Sequence, residues 1–359
     1  MENFSCKTKI VSGNGAISAL AELNAKRILL VADPYFQKTD LPNRLKTASK
    51  GAEMATFFQV SPDPSVELSA KGTAAVQAFR PDTVIALGGG SAMDCAKAMV
   101  FFSGLPITFV AVPTTSGSGS EVTDFAILTH DGVKHPLVDK RLQPDMAILD
   151  GNLLDSLPKS LIADAGFDIL AHALESFVAT NAGAISQALA ADAFNTALTH
   201  LSASFAGDTS VRLKVHQAAT MAGMAFSQSG LGLCHAISHA LGGQFHLPHG
   251  RLNAILLPAV VEANSGANKH YADISRRVGL GGTAELVAVR NLKNALIRLR
   301  KELNLPATLS QAGIPAREVW QATDTIVNAA LADPCAATNP VKPDENMVRN
   351  VLQQVTGVG

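Results

Sequence analysis

The sequence predicts a protein of two domains, an α/β half with a parallel sheet followed by a nearly all-helical half. The chain has 359 residues, which is long for a single hydrophobic core. Short β-branched runs alternate with helix-like segments from Ile28 to about Asp150, and Ala- and Leu-rich segments follow. We therefore expect an α/β domain over residues 1–155 and a helical domain over residues 156–359.

Four apolar runs in the first half are typical of buried parallel strands: RILLVAD, TVIALGGG, ITFVAVPTT and MAILD. Three segments in the second half have apolar residues at spacings of three and four, which predicts packed helices: SLIADAGFDILAHALESFVA, ISQALAADAFNTALTHLSASF and VRLKVHQAATMAGMAFSQ. No linker of low complexity separates the halves. We expect them to pack directly and to leave a cleft.

The composition excludes several classes of protein. Hydrophobic residues make up 47% and charged residues 16%, which excludes disorder over most of the length. Lys+Arg 29 against Asp+Glu 30 leaves no basic block, so we expect no nucleic-acid partner. Four scattered cysteines favour a reducing cytoplasm over a disulfide framework. The most apolar run, AMVFFSGLPITFVAV, is interrupted by Ser, Gly and Pro, so no membrane span is expected.

A glycine-rich turn in VIALGGGSAMDCAKAM predicts a phosphate site between a strand and a helix. Gly88, Gly89 and Gly90 let a phosphate approach the backbone N–H groups and the dipole at the start of the helix. Ser91 is the predicted N-cap, and Asp94 is expected in the first turn. The alternative is a tight β-to-α turn without a ligand.

A second turn and an acid support nucleotide binding. PTTSGSGSEVT, residues 113–123, follows another buried strand, and two such turns in one sheet border one crevice. Asp33 ends RILLVAD, where a carboxylate accepts hydrogen bonds from ribose hydroxyls and repels a 2′-phosphate, which favours NAD over NADP. In the usual Rossmann order, the acidic residue that binds the ribose follows the glycine-rich turn, whereas Asp33 precedes it. The sequence therefore predicts either a dinucleotide site of different connectivity or a simple turn residue at Asp33.

Histidines and one carboxylate predict a metal site in the helical half. Asp168 and His172 are four residues apart on one helix, so they share a face, and His235 and His239 repeat this spacing. His249 follows after the loop GGQFHLP. Three imidazoles and one carboxylate suit Fe(II) or Zn(II) with one open position. A hydrogen-bonded buried pair is the alternative for Asp168 and His172.

The predicted metal site needs four protein ligands and has five candidate residues, so one of the five has another role. His239 is expected to face the cleft and relay a proton, and His246 to line the substrate pocket. The other histidines are isolated, and we expect them at the surface or at helix caps: His130, His135, His200, His216 and His270.

The combined motifs resemble the iron-dependent (group III) alcohol dehydrogenase family over essentially the whole chain. They are GGGSAMDCAKA, PTTSGSGSEVT, D-x-x-x-H, and H-x-x-x-H followed by PHG. The stretch FSQSGLGLCHAISHALGGQFHLPHG is most similar to the propanol dehydrogenase branch of bacterial propanediol-utilisation microcompartments and its ethanolamine-pathway relatives. The resemblance implies a Rossmann-like NAD-binding domain and an all-α metal-binding domain, in the dehydroquinate-synthase-like architecture.

The resemblance also implies roles for individual residues. The metal ligands would be Asp168, His172, His235 and His249, with His239 near the substrate. The implied cofactor residues are Asp33 at the adenosine ribose, Asp63 near the adenine end, Gly89, Gly90 and Ser91 at the pyrophosphate, and Asp94, Thr114, Thr115, Ser118, Thr123 and Lys134 further along. The segment between Thr123 and Lys134 is shorter than in many relatives, and His246 stands at a variable position.

The expected protein is a cytoplasmic alcohol dehydrogenase that uses NAD(H) and Fe(II), with Zn(II) as the alternative metal. Its substrates would be short aldehydes such as propionaldehyde and acetaldehyde, and we expect a homodimer or larger homo-oligomer. A microcompartment location and a shell-protein partner rest on the resemblance alone. The alternatives are a glycerol or 1,3-propanediol dehydrogenase, a dehydroquinate-synthase-like enzyme, and a non-enzymatic metal-binding or shell-associated helical protein.

Overall fold

A parallel sheet forms the centre of the first of two structural units. The computed structural model describes residues 4–131 and 133–357. The first unit runs from Cys6 to Leu157, and the second begins at Pro158 and also includes residues 4 and 5. The predicted fold class, an α/β unit followed by a helical unit, is confirmed.

The first unit contains a sheet of six strands and a separate hairpin in its described residues. The sheet order is β1-β8-β5-β4-β2-β3 with all neighbours parallel, and β6 pairs with β7 antiparallel. The strands are β1 (Lys9–Ser12), β2 (Arg27–Ala32), β3 (Glu53–Phe57), β4 (Thr83–Gly88), β5 (Thr108–Pro113), β6 (Phe125–His130), β7 (Val133–Val138) and β8 (Met146–Leu149). The helices are α1 (Leu41–Ala48), α2 (Val66–Phe79) and α3 (Gly90–Ser103).

The four predicted strands are the central ones, β2, β4, β5 and β8. Their side chains alternate between two buried clusters: Leu30 and Ile85 lie in one, and Val84 and Phe109 lie in the other. Burial on both faces explains their continuous apolar runs. The edge strands β1 and β3 were not predicted, because they are partly exposed and have no such run.

The second unit contains helices and no strand among its described residues. Its α-helices are α4 (Lys159–Val178), α5 (Ala184–Ala206), α6 (Arg212–Ser229), α7 (Leu233–Phe245), α8 (His249–Ala263), α9 (Asn268–Arg277), α10 (Glu285–Glu302), α11 (Ala316–Ala332) and α12 (Glu345–Thr356). Helix α4 is buried on nearly all sides and packs against α5, α6 and α8. Among residues 4–131 and 133–357, none of the helices combines the length and apolarity needed to traverse a bilayer.

Candidate metal centre and cofactor site

Three helices bring a carboxylate and two imidazoles together. Helix α4 supplies Asp168, α7 supplies His235, and His249 is the first residue of α8. Asp168 Oδ1 lies 3.8 Å from His235 Nε2 and 3.5 Å from His249 Nε2. One ligand atom from each residue lies within 4.8 Å of the other two. These three predicted ligands therefore converge on one position.

His172 lies beside this group. Its Nδ1 is 3.9 Å from Asp168 Oδ2, and its ring stacks on His235 at 4.5 Å and on Phe226 at 4.4 Å between centroids. The ring is buried, and Nδ1 has no hydrogen-bond partner in the part of the chain that the structure describes. A buried polar atom without a partner costs free energy, which coordination to a cation would recover.

The electrostatics of the centre favour a cation. Burial lowers the pKa of the His235 imidazole well below its usual value, and the neighbouring His172 and His239 lower it further. Burial also lowers the pKa of His249 well below its usual value. Both rings are therefore neutral at neutral pH and offer lone pairs. Neutral imidazoles with a carboxylate are a donor set that suits divalent iron or zinc.

Glu175, which the sequence analysis did not single out, fixes the orientation of His235. It is buried on the same face of α4 and accepts hydrogen bonds from the backbone N–H of Gly232 at 3.0 Å and of Cys234 at 2.6 Å. The Nδ1 of His235 lies 2.6 Å from Glu175 Oε2, which directs Nε2 toward the candidate metal position, where it also lies 3.4 Å from Asn253 Nδ2. Burial raises the pKa of Glu175 to about 7, against the lowering effect of the backbone donors. A Cβ on Gly232 would lie 2.7 Å from Glu175 Oε1, so this turn requires glycine.

The start of α8 is held against α4 by a glycine and an ion pair. A Cβ on Gly250 would lie 1.8 Å from the carbonyl oxygen of Asp164, so the two helices touch there. The guanidinium of Arg251 donates to both carboxylate oxygens of Asp164, at 3.1 and 2.9 Å. These contacts place His249 next to Asp168, one turn further along α4.

A second buried partner orients the carboxylate. Asn253, one turn after His249 on α8, donates from Nδ2 to Asp168 Oδ1 at 2.8 Å. Its own Oδ1 accepts from the Ser238 hydroxyl and from the Cys234 thiol. Asn253 is completely buried. Each candidate ligand that α4 and α7 contribute to the converging group therefore has a buried hydrogen-bonding partner behind it.

His239 lies next to the converging group, and His246 lies at the end of α7. The Nδ1 of His239 is 2.8 Å from Asp333 Oδ2, and its ring stacks on His249 at 5.1 Å. His246 is exposed and ends α7 in the left-handed conformation, with φ 56°. The expectation that His216 lies at the surface or at a helix cap is wrong, because it is buried within α6.

In the first unit, three adjacent strands end at one edge of the sheet. Asp33, Gly88 and Thr114 stand at or just beyond the ends of β2, β4 and β5. A Cβ on Gly88 would lie 3.8 Å from Asp33 Oδ2, and a Cβ on Gly89 would lie 3.0 Å from Thr115 Oγ1. The predicted acid and the predicted hydroxyls therefore surround the glycine-rich turn, as a ligand site at this edge requires.

The helix after this turn begins earlier than predicted. Gly89 is the N-cap of α3, so the expectation that Ser91 caps the helix is wrong, and Asp94 lies beyond the first turn. Gly89 offers no capping side chain, and the N–H groups of Ala92 and Met93 already donate to its carbonyl, so the N–H groups of Gly90 and Ser91 are the ones that an anion could use. A Cβ on Gly90 would lie 3.3 Å from the Ser118 side chain, so the second turn approaches closely.

Asp94 and Lys97 hold the second turn from one face of α3. Asp94 accepts from the Ser120 hydroxyl at 2.9 Å and from a backbone N–H of β6 at 3.1 Å. The Lys97 ammonium donates to Thr123 Oγ1 at 2.9 Å, to its carbonyl at 3.0 Å, and to the first carbonyl of β6 at 2.7 Å. Burial lowers the pKa of Lys97 to about 8. Both side chains therefore support the turn from beneath, a role for Lys97 that the sequence analysis missed.

Asp63 and Lys134 form an ion pair at 2.6 Å. Asp63 has φ 50°, and Lys134 lies on β7. The family resemblance implies that Asp63 and Lys134 contact different parts of the cofactor. The structure instead places their two side chains together.

Family models match both units of the chain. The model for "Iron-containing alcohol dehydrogenase" matches residues 7–151, and the model for "Fe-containing alcohol dehydrogenase family, C-terminal" matches residues 162–356. The chain belongs to the iron-containing alcohol dehydrogenase family. It is thus an oxidoreductase of the alcohol and aldehyde class.

Relatives within the iron-containing alcohol dehydrogenases cover the full length. The 1-propanol dehydrogenase PduQ of Citrobacter freundii is 41% identical over 99% of this chain and 100% of its own. The NADPH-dependent butanol dehydrogenase of Clostridium saccharobutylicum is 35% identical over 99% of this chain and 98% of its own.

Solved structures of this family share the fold. The iron-containing alcohol dehydrogenase of Thermococcus thioreducens has a TM-score of 0.92 and 30% identity, covering 98% of this chain and 99% of its own. A 1,3-propanediol oxidoreductase has a TM-score of 0.93 and 29% identity, covering 99% of this chain and 100% of its own.

Proposed function

We propose that this iron-containing alcohol dehydrogenase reduces short aliphatic aldehydes, propionaldehyde or acetaldehyde, to primary alcohols with NADH, and catalyses the reverse reaction. The observation that carries the proposal is the convergence of Asp168, His235 and His249, with neutral imidazoles and buried partners behind the ligands. The likeness to 1-propanol dehydrogenase PduQ supports the choice of substrate.

In this mechanism Asp168, His172, His235 and His249 would hold a divalent metal, Fe(II) or alternatively Zn(II). A metal held there would supply Lewis acidity for polarising the carbonyl group of the substrate. His239 supplies the proton: Asp333 occupies its Nδ1, so Nε2 is the nitrogen that exchanges a proton with the substrate oxygen.

The sheet edge binds the cofactor. The first N–H groups of α3 hold the pyrophosphate, and the hydroxyls of Thr115 and Ser118 lie beside the glycine turn to complete the site. Asp33 accepts from the adenosine ribose and repels a 2′-phosphate, which supports NAD. Asp94 and Thr123 contribute as supports of the loop.

The cofactor proposal is tested by Asp33→Gly. We expect the preference for NADH over NADPH to fall by about 10-fold or more, since a desolvated charge contact is worth at least about 1.4 kcal/mol. The measurement is kcat/KM with each cofactor. Unchanged discrimination in the variant would remove Asp33 from the ribose site. The NADPH-dependent butanol dehydrogenase relative makes this comparison informative.

The central experiment is anaerobic purification with metal analysis, followed by NADH-dependent reduction of a short aldehyde series. We expect about one tightly held iron or zinc per chain and the highest kcat/KM with propionaldehyde or acetaldehyde. Preference for glycerol or 1,3-propanediol would favour the polyol alternative, which the structural likeness to 1,3-propanediol oxidoreductase also supports. Absence of saturable NADH binding would contradict the cofactor proposal.

We also propose a homodimer or larger homo-oligomer in the cytoplasm, within a microcompartment where a shell protein is present. The sequence resemblance to the propanediol-utilisation branch supports this location. Native mass spectrometry measures the assembly, and co-sedimentation with purified shells measures encapsulation.

A further inference from the structure

We propose that His239, Asp333 and Cys335 form a second divalent-cation site, separate from the converging group of Asp168, His235 and His249. One imidazole nitrogen, one carboxylate oxygen and the Cys335 sulfur lie within 4.8 Å of one another. Three donors of different kinds at this spacing can close on one ion with small side-chain movements.

Asp333 organises the cluster. Its Oδ2 lies 2.8 Å from His239 Nδ1, and its Oδ1 accepts from the backbone N–H of Cys335 at 2.8 Å. The same carboxylate caps the short helical turn Pro334–Thr338, which holds the thiol next to it. The cluster thus joins the middle of α7 to the segment that follows α11.

The following segment is anchored to the start of α7. The Thr338 hydroxyl donates to the carbonyl of Leu231 at 2.7 Å, and Asn339 Oδ1 accepts from the N–H of Leu233 at 3.0 Å. Because the start and the middle of α7 are tied to this segment, the three donors are held in place before an ion arrives. All three cluster residues are partly exposed, so a hydrated cation has access.

The donor chemistry selects a soft or borderline cation such as zinc, cobalt or cadmium. Cys335 is a free thiol, whereas the converging group contains only nitrogen and oxygen donors. On binding, the cysteine sulfur forms a bond to the ion and releases its proton to solvent. The Nδ1 proton of His239 moves through solvent to Nε2, so the imidazole stays neutral.

Occupancy of this site would remove His239 from proton transfer, a consequence that rests on the proposed function. Excess zinc would then inhibit aldehyde reduction without displacing the metal of the converging group, and a mild chelator would restore activity. The binding itself does not depend on the reaction.

Cobalt(II) titration of metal-free protein under anaerobic conditions tests the binding. We expect two cobalt ions per chain, and thiolate-to-cobalt charge-transfer absorption from the second ion only. Cys335→Ser should abolish this absorption and leave the first ion bound, whereas the matched control Cys6→Ser should keep both. A single bound ion without the absorption, or absorption that persists in Cys335→Ser, would overturn the proposal.

Zinc inhibition provides the second readout. Cys335→Ser should keep basal activity and raise the zinc concentration for half-inhibition by about 10-fold or more, the usual loss when a site is weakened. If zinc inhibited wild type and Cys335→Ser at the same concentration, the inhibitory zinc would bind at another site, and the proposal would be contradicted. Cys335→Ala is the second variant, with folding checked by circular dichroism. The cobalt absorption requires no turnover, so failure of the proposed reaction remains distinguishable.

Discussion

The candidate metal centre of the helical unit and the glycine-rich edge of the sheet are built to bind their proposed ligands by different means. At the candidate metal centre, side chains would be the ligands, and Glu175 and Asn253 fix two of them from buried positions. In the proposed cofactor site, backbone N–H groups at the start of α3 would provide the main contacts, and Asp94 and Lys97 support the turn from beneath. Side-chain ligation concentrates function in a few residues, whereas backbone binding distributes it, so single substitutions should affect the two sites unequally.

The largest effect is expected from His249→Ala or Asp168→Ala. Either change removes a charged or electron-donating ligand, so metal retention should be lost and turnover should fall by about 10²–10³-fold or more. NADH binding, followed by fluorescence, should stay largely intact. His246→Ala is the control because His246 is an exposed helix end, and it should keep its metal. Full metal content in the purified His249→Ala protein would show that the ligand assignment is wrong.

Glu175→Gln tests the support behind the ligand. The amide keeps the size of the side chain but loses the charge that orients His235, so metal affinity should fall by about 10–100-fold. Competition with a calibrated chelator measures the affinity. Glu262→Gln on the exposed end of α8 is the control and should bind metal like wild type. Wild-type affinity in Glu175→Gln would reduce the role of Glu175 to capping α7.

Lys97→Met is the corresponding change at the sheet edge. It removes three hydrogen bonds, so the protein should lose about 1–3 kcal/mol of stability and bind NADH more weakly. Lys71→Met, at an exposed position of α2, is the control. Chemical denaturation and NADH titration measure the two effects. Unaltered stability and NADH affinity would exclude Lys97 as the support.

The same variant gives a pH dependence. The pKa of Lys97 is about 8 in the folded protein against 10.5 ordinarily, so the folded state binds this proton less tightly than the unfolded state. The cost of burying the charge is present below pH 8 and is relieved as the pH rises toward 10.5. Wild type should therefore gain up to about 3 kcal/mol relative to Lys97→Met across this window.

The smallest effect is expected at His246. This residue adopts a left-handed conformation, which Asn tolerates better than His, so His246→Asn should change stability by about 0.5 kcal/mol or less. Thermal unfolding and aldehyde kinetics measure the effect. A large change in the KM for the aldehyde would support the prediction that His246 lines the substrate pocket.

The parts of the molecule that were predictable from sequence are those with local signals. The central strands have continuous apolar runs, and Asp168 and His172 share a face through their spacing. Glu175 has the same signal, since it lies one turn beyond His172 on that face, and Asn253 stands one turn beyond His249. Asp333 carries no such signal, because its proximity to His239 depends on packing between residues far apart in sequence.

The contact at Gly250 has a consequence for protein engineering. Any side chain there would meet the main chain of α4, so the spacing between the two helices is fixed by the absence of a Cβ. A designer who transfers Asp168, His235 and His249 to another helical bundle must therefore transfer this close helix crossing as well. The hydrogen atom at Gly250 is as much a part of the grafted motif as the imidazole beside it.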